Sequence, residues 1–317
     1  MNSRNTRIRT LLATVLASAV VIAGSATAHA EGTEPDLDPD AVAAQIDTLA
    51  PPEEVQAPIP IGDEAVATVD GGLVAIPDDA TEPIRLESTG VDSPDLSIVL
   101  PELDDLTPAA LASDGTVVYG SDEGVALAVQ VVEEGIRIQT VSTGPEAPTE
   151  FSYEFGDSVT PAIQPDGSVE LTEDTGTGVA VTVGHVEAPW AFDAAGEPVV
   201  TEYRTAGNQL IQTLEVDPAA EYPIVADPKL TITWWNQTLY FNKKETGIVA
   251  AGTFGGSTIA GYFGVPGKVI SAVLAVYGTA AGVYLAAGKC LKLVQYIGVP
   301  TPVPQPYWGT EAGSYCK

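Results

Sequence analysis

Three Asp-Gly pairs, at residues 70–71, 114–115 and 166–167, each lie between runs of apolar or alternating residues. An Asp-Gly pair in that setting is a strong signal for a β-hairpin, because both residues tolerate the backbone conformation of a tight turn. We therefore expect residues 61–226 to be β-structure throughout, forming an acidic β-rich domain.

Four segments within this region alternate between apolar and polar residues, which is the period of a strand with one buried and one wet face. They are residues 125–131, 136–141, 151–155 and 179–183. Short strands with regular turn signals are typical of an antiparallel β-sandwich or a partly closed barrel. With the helices expected outside this region, the fold class is α+β.

Charge divides the chain sharply after residue 226. Residues 31–226 carry forty acidic residues and three arginines, whereas residues 227–317 carry seven lysines and three acids. The net charge of the whole chain is −30. Because phosphates would be repelled by the acidic part, we expect no nucleic-acid partner. The change of sign also predicts that residues 227–317 are a separate module.

Residues 1–30 have the three parts of a cleavable signal peptide. Three arginines start it, a mostly apolar and uncharged run covers residues 11–24, and the small residues Ala28 and Ala30 flank a histidine. The apolar run is shorter than the ~20 residues that span a bilayer, which disfavours the alternative of a retained membrane anchor. We expect cleavage between Ala30 and Glu31 and a secreted, extracellular mature protein.

Residues 31–60 are predicted to be an acidic linker with one short helix. Asp38 is suited to the N-cap and Pro39 to the first helical position. The apolar residues that would share one helix face are Val42, Ile46 and Leu49. Two prolines at residues 51–52 end the helix.

The module at residues 227–317 is predicted to contain a strand, from the alternation of Leu230, Ile232 and Trp234, followed by two helices. Asn242 and Glu245 have the spacing of a capping box. Between Thr246 and Gly288 the sequence holds no charge except Lys268, and a Pro-Gly pair at residues 266–267 favours a turn. We interpret this stretch as an apolar helical hairpin.

The hairpin leaves two interpretations open. Gly-x-x-x-Gly spacings at residues 252–256 and 278–282 would let helices approach closely, and residues 269–288 are long enough to span a membrane. It is either the packed core of a small soluble module or a membrane-active segment. Cys290 and Cys316 are the two cysteines of the mature chain, and in an exported protein such a pair predicts a disulfide.

Two segments resemble those of a known group of proteins. They are Ala188-Pro-Trp-Ala-Phe-Asp-Ala-Ala-Gly196 and Tyr222-Pro-Ile-Val-Ala-Asp-Pro228. They are similar to segments of uncharacterised secreted proteins of high-GC Gram-positive bacteria, and the second also resembles an element that ends β-domains in Rhs-type repeat proteins. The resemblance implies a secreted β-domain followed by a variable, cysteine-containing C-terminal module. It implies no activity and transfers no catalytic residues.

No motif in the sequence points to catalysis, a metal or a cofactor. His185 is the single histidine of the mature chain and has no Gly-x-Ser-x-Gly partner motif. One histidine and two paired cysteines are too few for a zinc site. We therefore expect no catalytic, metal-binding or cofactor-binding residues and no cofactor.

Three functional hypotheses follow. The first is a secreted, non-enzymatic structural or interaction protein of unknown partner. The second is a precursor of a membrane-active, bacteriocin-like C-terminal module, with membrane or cell-envelope contact through that module. The third is an extracellular hydrolase that carries no recognisable motif, since a pair of carboxylates suffices for glycoside hydrolysis.

Overall fold

The structure is a computed structural model, in which residues 38–69, 72–88, 96–133, 135–174, 176, 178–231, 236–256, 267–296, 305–308 and 316 are described. The expected cleavage site at Ala28, Ala30 and Glu31 lies outside these residues. The helices are α1 (Pro39–Leu49), α2 (Lys243–Ala250) and α3 (Gly267–Ala286). The strands are β1 (Ile59–Ile61), β2 (Glu64–Val69), β3 (Gly72–Pro77), β4 (Ile84–Ser88), β5 (Leu96–Val99), β6 (Ala110–Leu111), β7 (Val117–Gly120), β8 (Val125–Val132), β9 (Gly135–Ser142), β10 (Glu150–Phe155), β11 (Val159–Ile163), β12 (Val169–Asp174), β13 (Val179–Val186), β14 (Ala191–Phe192), β15 (Val200–Ala206), β16 (Gln209–Glu215), β17 (Ile224–Ala226), β18 (Lys229–Thr231), β19 (Asn236–Phe241), β20 (Leu291–Tyr296) and β21 (Gln305–Trp308).

The described strands form two antiparallel sheets that pack as a sandwich. One sheet has the order β1-β2-β3-β4-β5-β10-β16-β15, and the other runs β21-β20-β19-β13-β18-β9-β8-β7-β6 with β11, β12, β14 and β17 attached beside this path. The α+β class is confirmed, and the sheets are sandwich-like and do not form a closed barrel.

The three Asp-Gly hairpins are confirmed by strand register. Val69 pairs with Gly72, Leu111 with Val117, and Ile163 with Val169, so each Asp-Gly pair falls between two antiparallel strands. Gly115 has a φ of 98°, which a residue with a side chain rarely adopts. A Cβ at this position would lie 2.6 Å from the Cα of Ala57, so the turn also needs glycine for space.

The sandwich core lies between the inner faces of the two sheets. In β10 the alternation expected from the sequence is confirmed, because Phe151, Tyr153 and Phe155 are buried in the core while Glu150 and Glu154 are exposed. On β8 the residues Leu127, Val129 and Val131 belong to the same core. The alternating pattern therefore identified the inner face correctly.

The outer face of β8 and β9 is buried and not exposed to solvent, so the prediction of one exposed face is wrong for these two strands. Every residue of both strands is buried, because α1 lies across their outer face. Val42 and Ile46 of α1 pack there against Ala126 and Ala128. The predicted helix and its caps are confirmed: the Asp38 carboxylate accepts from a backbone N–H of the first turn, and the helix ends before the two prolines.

Strand pairing crosses the position at which the charge changes sign. The strand predicted around Leu230 is β18, and it pairs with β9 on one side and with β13 on the other. The next strand, β19, pairs with β13 and β20. Residues 229–231 and 236–241 therefore belong to the same sheet as the acidic part of the chain. Whether residues 227–317 also fold by themselves stays a prediction.

Candidate contact surface

The C-terminal helices α2 and α3 form the part of the molecule that differs most from the sandwich. Asn242 caps α2 by accepting the backbone N–H of Glu245, as the sequence predicted. The predicted hairpin needs a longer first helix than the structure has. Helix α2 ends at Ala250, and Gly252 follows with a φ of 71°, which is outside the range of a right-handed helix. The second helix, α3, is 20 residues long.

The two helices approach closely at a glycine, as the Gly-x-x-x-Gly spacing predicted. A Cβ on Gly278 would lie 3.0 Å from the carbonyl oxygen of Val249 in α2. One turn further along, a Cβ on Gly282 would lie 3.7 Å from the Cβ of Ala250, which is an ordinary contact. The small-residue face of α3 is therefore occupied by α2 and is not available to a partner.

The opposite face of α3 is apolar and exposed. Val276 is 75% exposed and Val283 is 67% exposed, and they are two turns apart on the same side of the helix. The other exposed residues of this face, which we call the α3 outer face, are Ala272, Ala275, Thr279 and Ala286. The helix is long and apolar enough to cross a membrane by length and composition, and most of it is not buried.

Basic side chains flank α3 at both ends. Lys268 is exposed at its start, and beyond its end Lys289 lies over the ring of Tyr284 and Lys292 over the ring of Tyr240. No acidic residue occurs in the sequence between Glu245 and Glu311. The α3 outer face is thus an uncharged stripe between positive ends, on a chain that is otherwise strongly acidic.

The predicted disulfide is present and lies next to α3. Cys290 and Cys316 are bonded, with their Cα atoms 5.5 Å apart, and both are buried. Cys290 directly precedes β20, which pairs with β19 of the large sheet. The disulfide therefore joins Cys316 to the junction between α3 and the sheet.

The two segments that carry the family resemblance lie side by side. Strand β14 in the first pairs with β17 in the second, through Ala191 with Ala226 and Phe192 with Val225. The Asp193 carboxylate accepts backbone N–H groups of Ala195 and Glu197, and also that of Glu221, the residue directly before the second segment. These bonds hold the pKa of Asp193 below its ordinary value.

Asp227 is a buried carboxylate at the end of the same pair of segments. Its side chain is 0% exposed and accepts the backbone N–H of Trp190 and that of Lys229, each at 3.1 Å. Burial raises the pKa of Asp227 to about 7, although these two N–H groups and the charge of Arg137 act in the opposite direction. A shifted carboxyl in a cleft is a candidate catalytic group, but Asp227 has no access to solvent and cannot reach a substrate.

Four charged side chains form a cluster near this carboxylate: Arg137, Lys229, Glu53 and Glu187. The guanidinium of Arg137 lies 5.9 Å from the ring centre of Trp190 and is buried, and burial lowers its pKa. The ammonium of Lys229 is bonded to Glu53 and to Glu187, and these bonds outweigh the effect of burial and raise its pKa. The cluster links the segment after α1 to the large sheet.

His185 lies in β13, opposite Glu170 on one side and Thr231 on the other, and no hydrogen bond or ion pair joins its ring to a described residue. Within the described part of the chain, no three His, Cys, Asp or Glu side chains are grouped to hold a metal ion. Sequence reasoning missed Asp193 and Asp227. The signal that could have found them is that each is an acid inside one of the two resemblance segments, close to a glycine or a proline that favours a turn.

No protein-family model and no curated protein matches the chain. Among solved structures, one that is similar over part of the chain is a glycoside hydrolase of family 81 from Clostridium thermocellum. The identity is 13%, the match covers 56% of this chain and 25% of the hydrolase, and the TM-score is 0.18. The chain therefore spans about a quarter of that enzyme's length, and a likeness this low carries no argument about function.

Proposed function

We propose that this protein is exported, that its β-sandwich is a non-enzymatic scaffold, and that α3 attaches it to a lipid membrane of the cell envelope. The observation that carries the proposal is the α3 outer face. Val276 and Val283 are the most exposed large apolar side chains of the helix, and nothing between Lys268 and Lys289 is charged.

The physical argument starts from the composition of α3. A helix that is apolar on all sides is normally buried on all sides, in a protein core or in lipid. Helix α3 is covered by α2 on one side, where Gly278 meets Val249, and is exposed on the other. Transfer of the outer face into lipid gains about 25 cal/mol for each Å² of apolar surface removed from water.

The charges at the ends of α3 favour a membrane over an apolar protein groove. Lysines at the ends of an apolar helix can extend to the headgroups, and each basic residue near an anionic surface contributes about 1 kcal/mol. Lys268, Lys289 and Lys292 are placed in that way. The absence of acids from Thr246 to Thr310 keeps the rest of the negative charge away from the contact.

The intact protein, and not a released peptide, is the species proposed to bind. Release of residues 227–317 would break the pairing of β18 with β9 and β13 and that of β19 with β13. It would also expose Leu239 and Phe241, which are fully buried. The sheet thus holds α3 on the scaffold while its outer face remains accessible.

Export is supported by the disulfide, since Cys290 and Cys316 are bonded and such bonds persist in oxidising compartments. Its direct test is N-terminal sequencing of the protein recovered from culture medium. We expect the exported form to begin at Glu31. A membrane-bound species that retains Arg4 would contradict the proposed cleavage.

Attachment is tested by sedimentation of residues 31–317 with vesicles of phosphatidylcholine alone and of phosphatidylcholine with phosphatidylglycerol. We expect binding to the anionic vesicles, and we expect V276D with V283D to remove it. Val200 of β15 is 63% exposed and far from α3 in sequence, so V200D is the matched control and should bind as the unchanged protein does.

Two results would overturn the proposal. One is that the unchanged protein stays in solution with both kinds of vesicle. The other is that V200D loses binding as fully as the α3 variant, because the contact would then not be specific to this helix. Sedimentation velocity without lipid should show a monomer; a dimer that V276D with V283D dissolves would mean that the outer face binds a second copy instead.

A further inference from the structure

A cleft lies at one end of the sandwich, between the free edges of both sheets. Strand β1 is the last strand of one sheet and β6 the last strand of the other, within the described order. Pro60 of β1 and Leu111 of β6 both line a cavity of about 220 Å³. The edges of both sheets therefore border the same groove, and none of the described strands fills it.

The cleft has an apolar interior, and backbone hydrogen bonds hold the segments that line it. Ile76 and Val117 are buried at its base, and Ala65 and Ala109 complete the walls. The backbone N–H of Asp78 donates to the carbonyl of Asp63 at 2.8 Å, which joins the segments around these two residues. The N–H of Ala109 donates in turn to the carbonyl of Asp78 at 2.9 Å.

Two carboxylates on the rim have no partner in the described part of the chain. Three acids line the cleft, and one of them, Glu64, is bonded to Arg85 at 2.5 Å. The carboxylates of Asp63 and Asp78 make no hydrogen bond or ion pair with described residues, and both are exposed. The rim therefore holds two uncompensated negative charges above apolar walls.

We propose that this cleft binds an extended segment of another protein, with a basic side chain that enters the cleft and aliphatic side chains on either side of it. The apolar walls suit the methylene stem of a lysine or arginine, while Asp63 and Asp78 face its charged end. The volume suits one long side chain, and not a folded domain.

The surroundings of the cleft match this ligand. Ile59 and Ile61 of β1 are 68% and 60% exposed and lie beside Pro60, where aliphatic neighbours of the basic residue would pack. Free sheet edges are recurring sites for extended peptides. Pro60 has no N–H group, so β1 offers a peptide fewer backbone hydrogen bonds than a regular edge strand does. We therefore expect the side-chain contacts in the cleft to determine which peptides bind.

Long-range charge favours the same partner. Residues 31–226 carry forty acids against three arginines, so a basic segment is attracted toward this part of the molecule and an acidic one repelled. Because this attraction acts on any basic ligand, the experiment must separate it from binding in the cleft.

The test uses residues 31–317 and three capped hexapeptides that alternate valine with lysine, glutamine or glutamate. We expect the lysine peptide alone to bind by calorimetry, with an affinity that falls as salt is added. D63N with D78N should weaken binding about tenfold, as the loss of two exposed charge contacts would. D122N with D157N removes the same charge from two exposed turns elsewhere and should leave the affinity within about twofold.

Leu111→Ser provides a second, uncharged variant, because it opens the apolar wall without altering the net charge. It should also weaken binding of the lysine peptide. The proposal is overturned when no peptide binds, or when D122N with D157N reduces the affinity as much as D63N with D78N. It is also overturned when Leu111→Ser has no effect, since the binding would then be general attraction to an acidic surface.

Discussion

Trp190 and Asp227 are bonded to each other in both directions. The backbone N–H of Trp190 donates to the Asp227 carboxylate at 3.1 Å, and the backbone N–H of Asp227 donates to the carbonyl of Trp190 at 3.3 Å. This exchange closes the end of the β14–β17 pair, and the Trp190 ring also lies against the guanidinium of Arg137. The buried carboxylate of Asp227 thereby joins two backbone segments in the protein interior.

The buried carboxylate predicts that stability falls as the pH rises. The pKa of Asp227 is about 7 in the folded protein against an ordinary value of 3.8. Between these values the native state holds more protons than the unfolded chain, so the free energy of unfolding decreases as the pH increases, by up to about 4 kcal/mol. Urea unfolding from about pH 5 to about pH 8 should show this decline, and Asp227→Asn should reduce its slope.

Asp193 provides the control, because its pKa is shifted in the other direction. Its stabilising contribution is present above the ordinary value of 3.8 and is lost as the pH falls through the lower pKa of the folded state. Asp193→Asn should therefore lower stability without changing the slope across that neutral range. An unchanged slope in Asp227→Asn would assign the pH dependence to another group.

The close approach of α2 and α3 predicts opposite effects at two glycines one turn apart. Gly278→Ala places a Cβ 3.0 Å from the carbonyl of Val249, and such overpacking costs about 1–3 kcal/mol. Gly282→Ala makes an ordinary 3.7 Å contact and gains helix propensity of about 1 kcal/mol. Chemical unfolding should thus rank Gly282→Ala above the unchanged protein and Gly278→Ala below it. Equal values for the two variants would show that α2 does not pack on this face.

The disulfide between Cys290 and Cys316 closes a loop with a sequence separation of 26 residues. Replacing both cysteines with serine should lower the free energy of unfolding by about 3 kcal/mol, chiefly because the unfolded chain gains freedom. Alkylation of freshly secreted protein without reductant should label neither cysteine. Two labelled thiols would mean that the exported protein does not form the bond.

Local signals in the sequence predicted the elements whose causes are local. The caps at Asp38 and Asn242, the three Asp-Gly turns and the alternation in β10 each depend on residues within a few positions of one another. The pairing of Cys290 with Cys316 was predictable because the sequence holds no other cysteine. The order of strands within the two sheets depends on distant contacts and was not predictable in this way.

The sequence did not predict burial that depends on packing against another helix or strand. The outer residues of β8, such as Ala126 and Gln130, occupy positions typical of a wet face, and only the packing of α1 and the segment after it buries them. Asp227 was one acid among forty-three in the sequence, and it is buried where the chain around Trp190, 37 residues earlier in the sequence, packs against it. The cleft between β1 and β6 exists only because two sheet edges end together.

The last prediction concerns the position between residues 226 and 227, where the charge changes sign and β17 is followed by β18. Expressed apart and mixed, residues 31–226 and 227–317 should bind each other, and added salt should weaken that binding only slightly. The reason is that β18 fits between β9 and β13, and Leu230, Leu239 and Phe241 are buried. Apolar burial is insensitive to salt, whereas attraction between exposed charges is screened within about 8–10 Å at physiological ionic strength. Titration calorimetry at low and high salt measures this directly. Strong salt dependence would mean that charge holds the two parts together, and a failure of either part to fold alone would show that the chain is one cooperative unit.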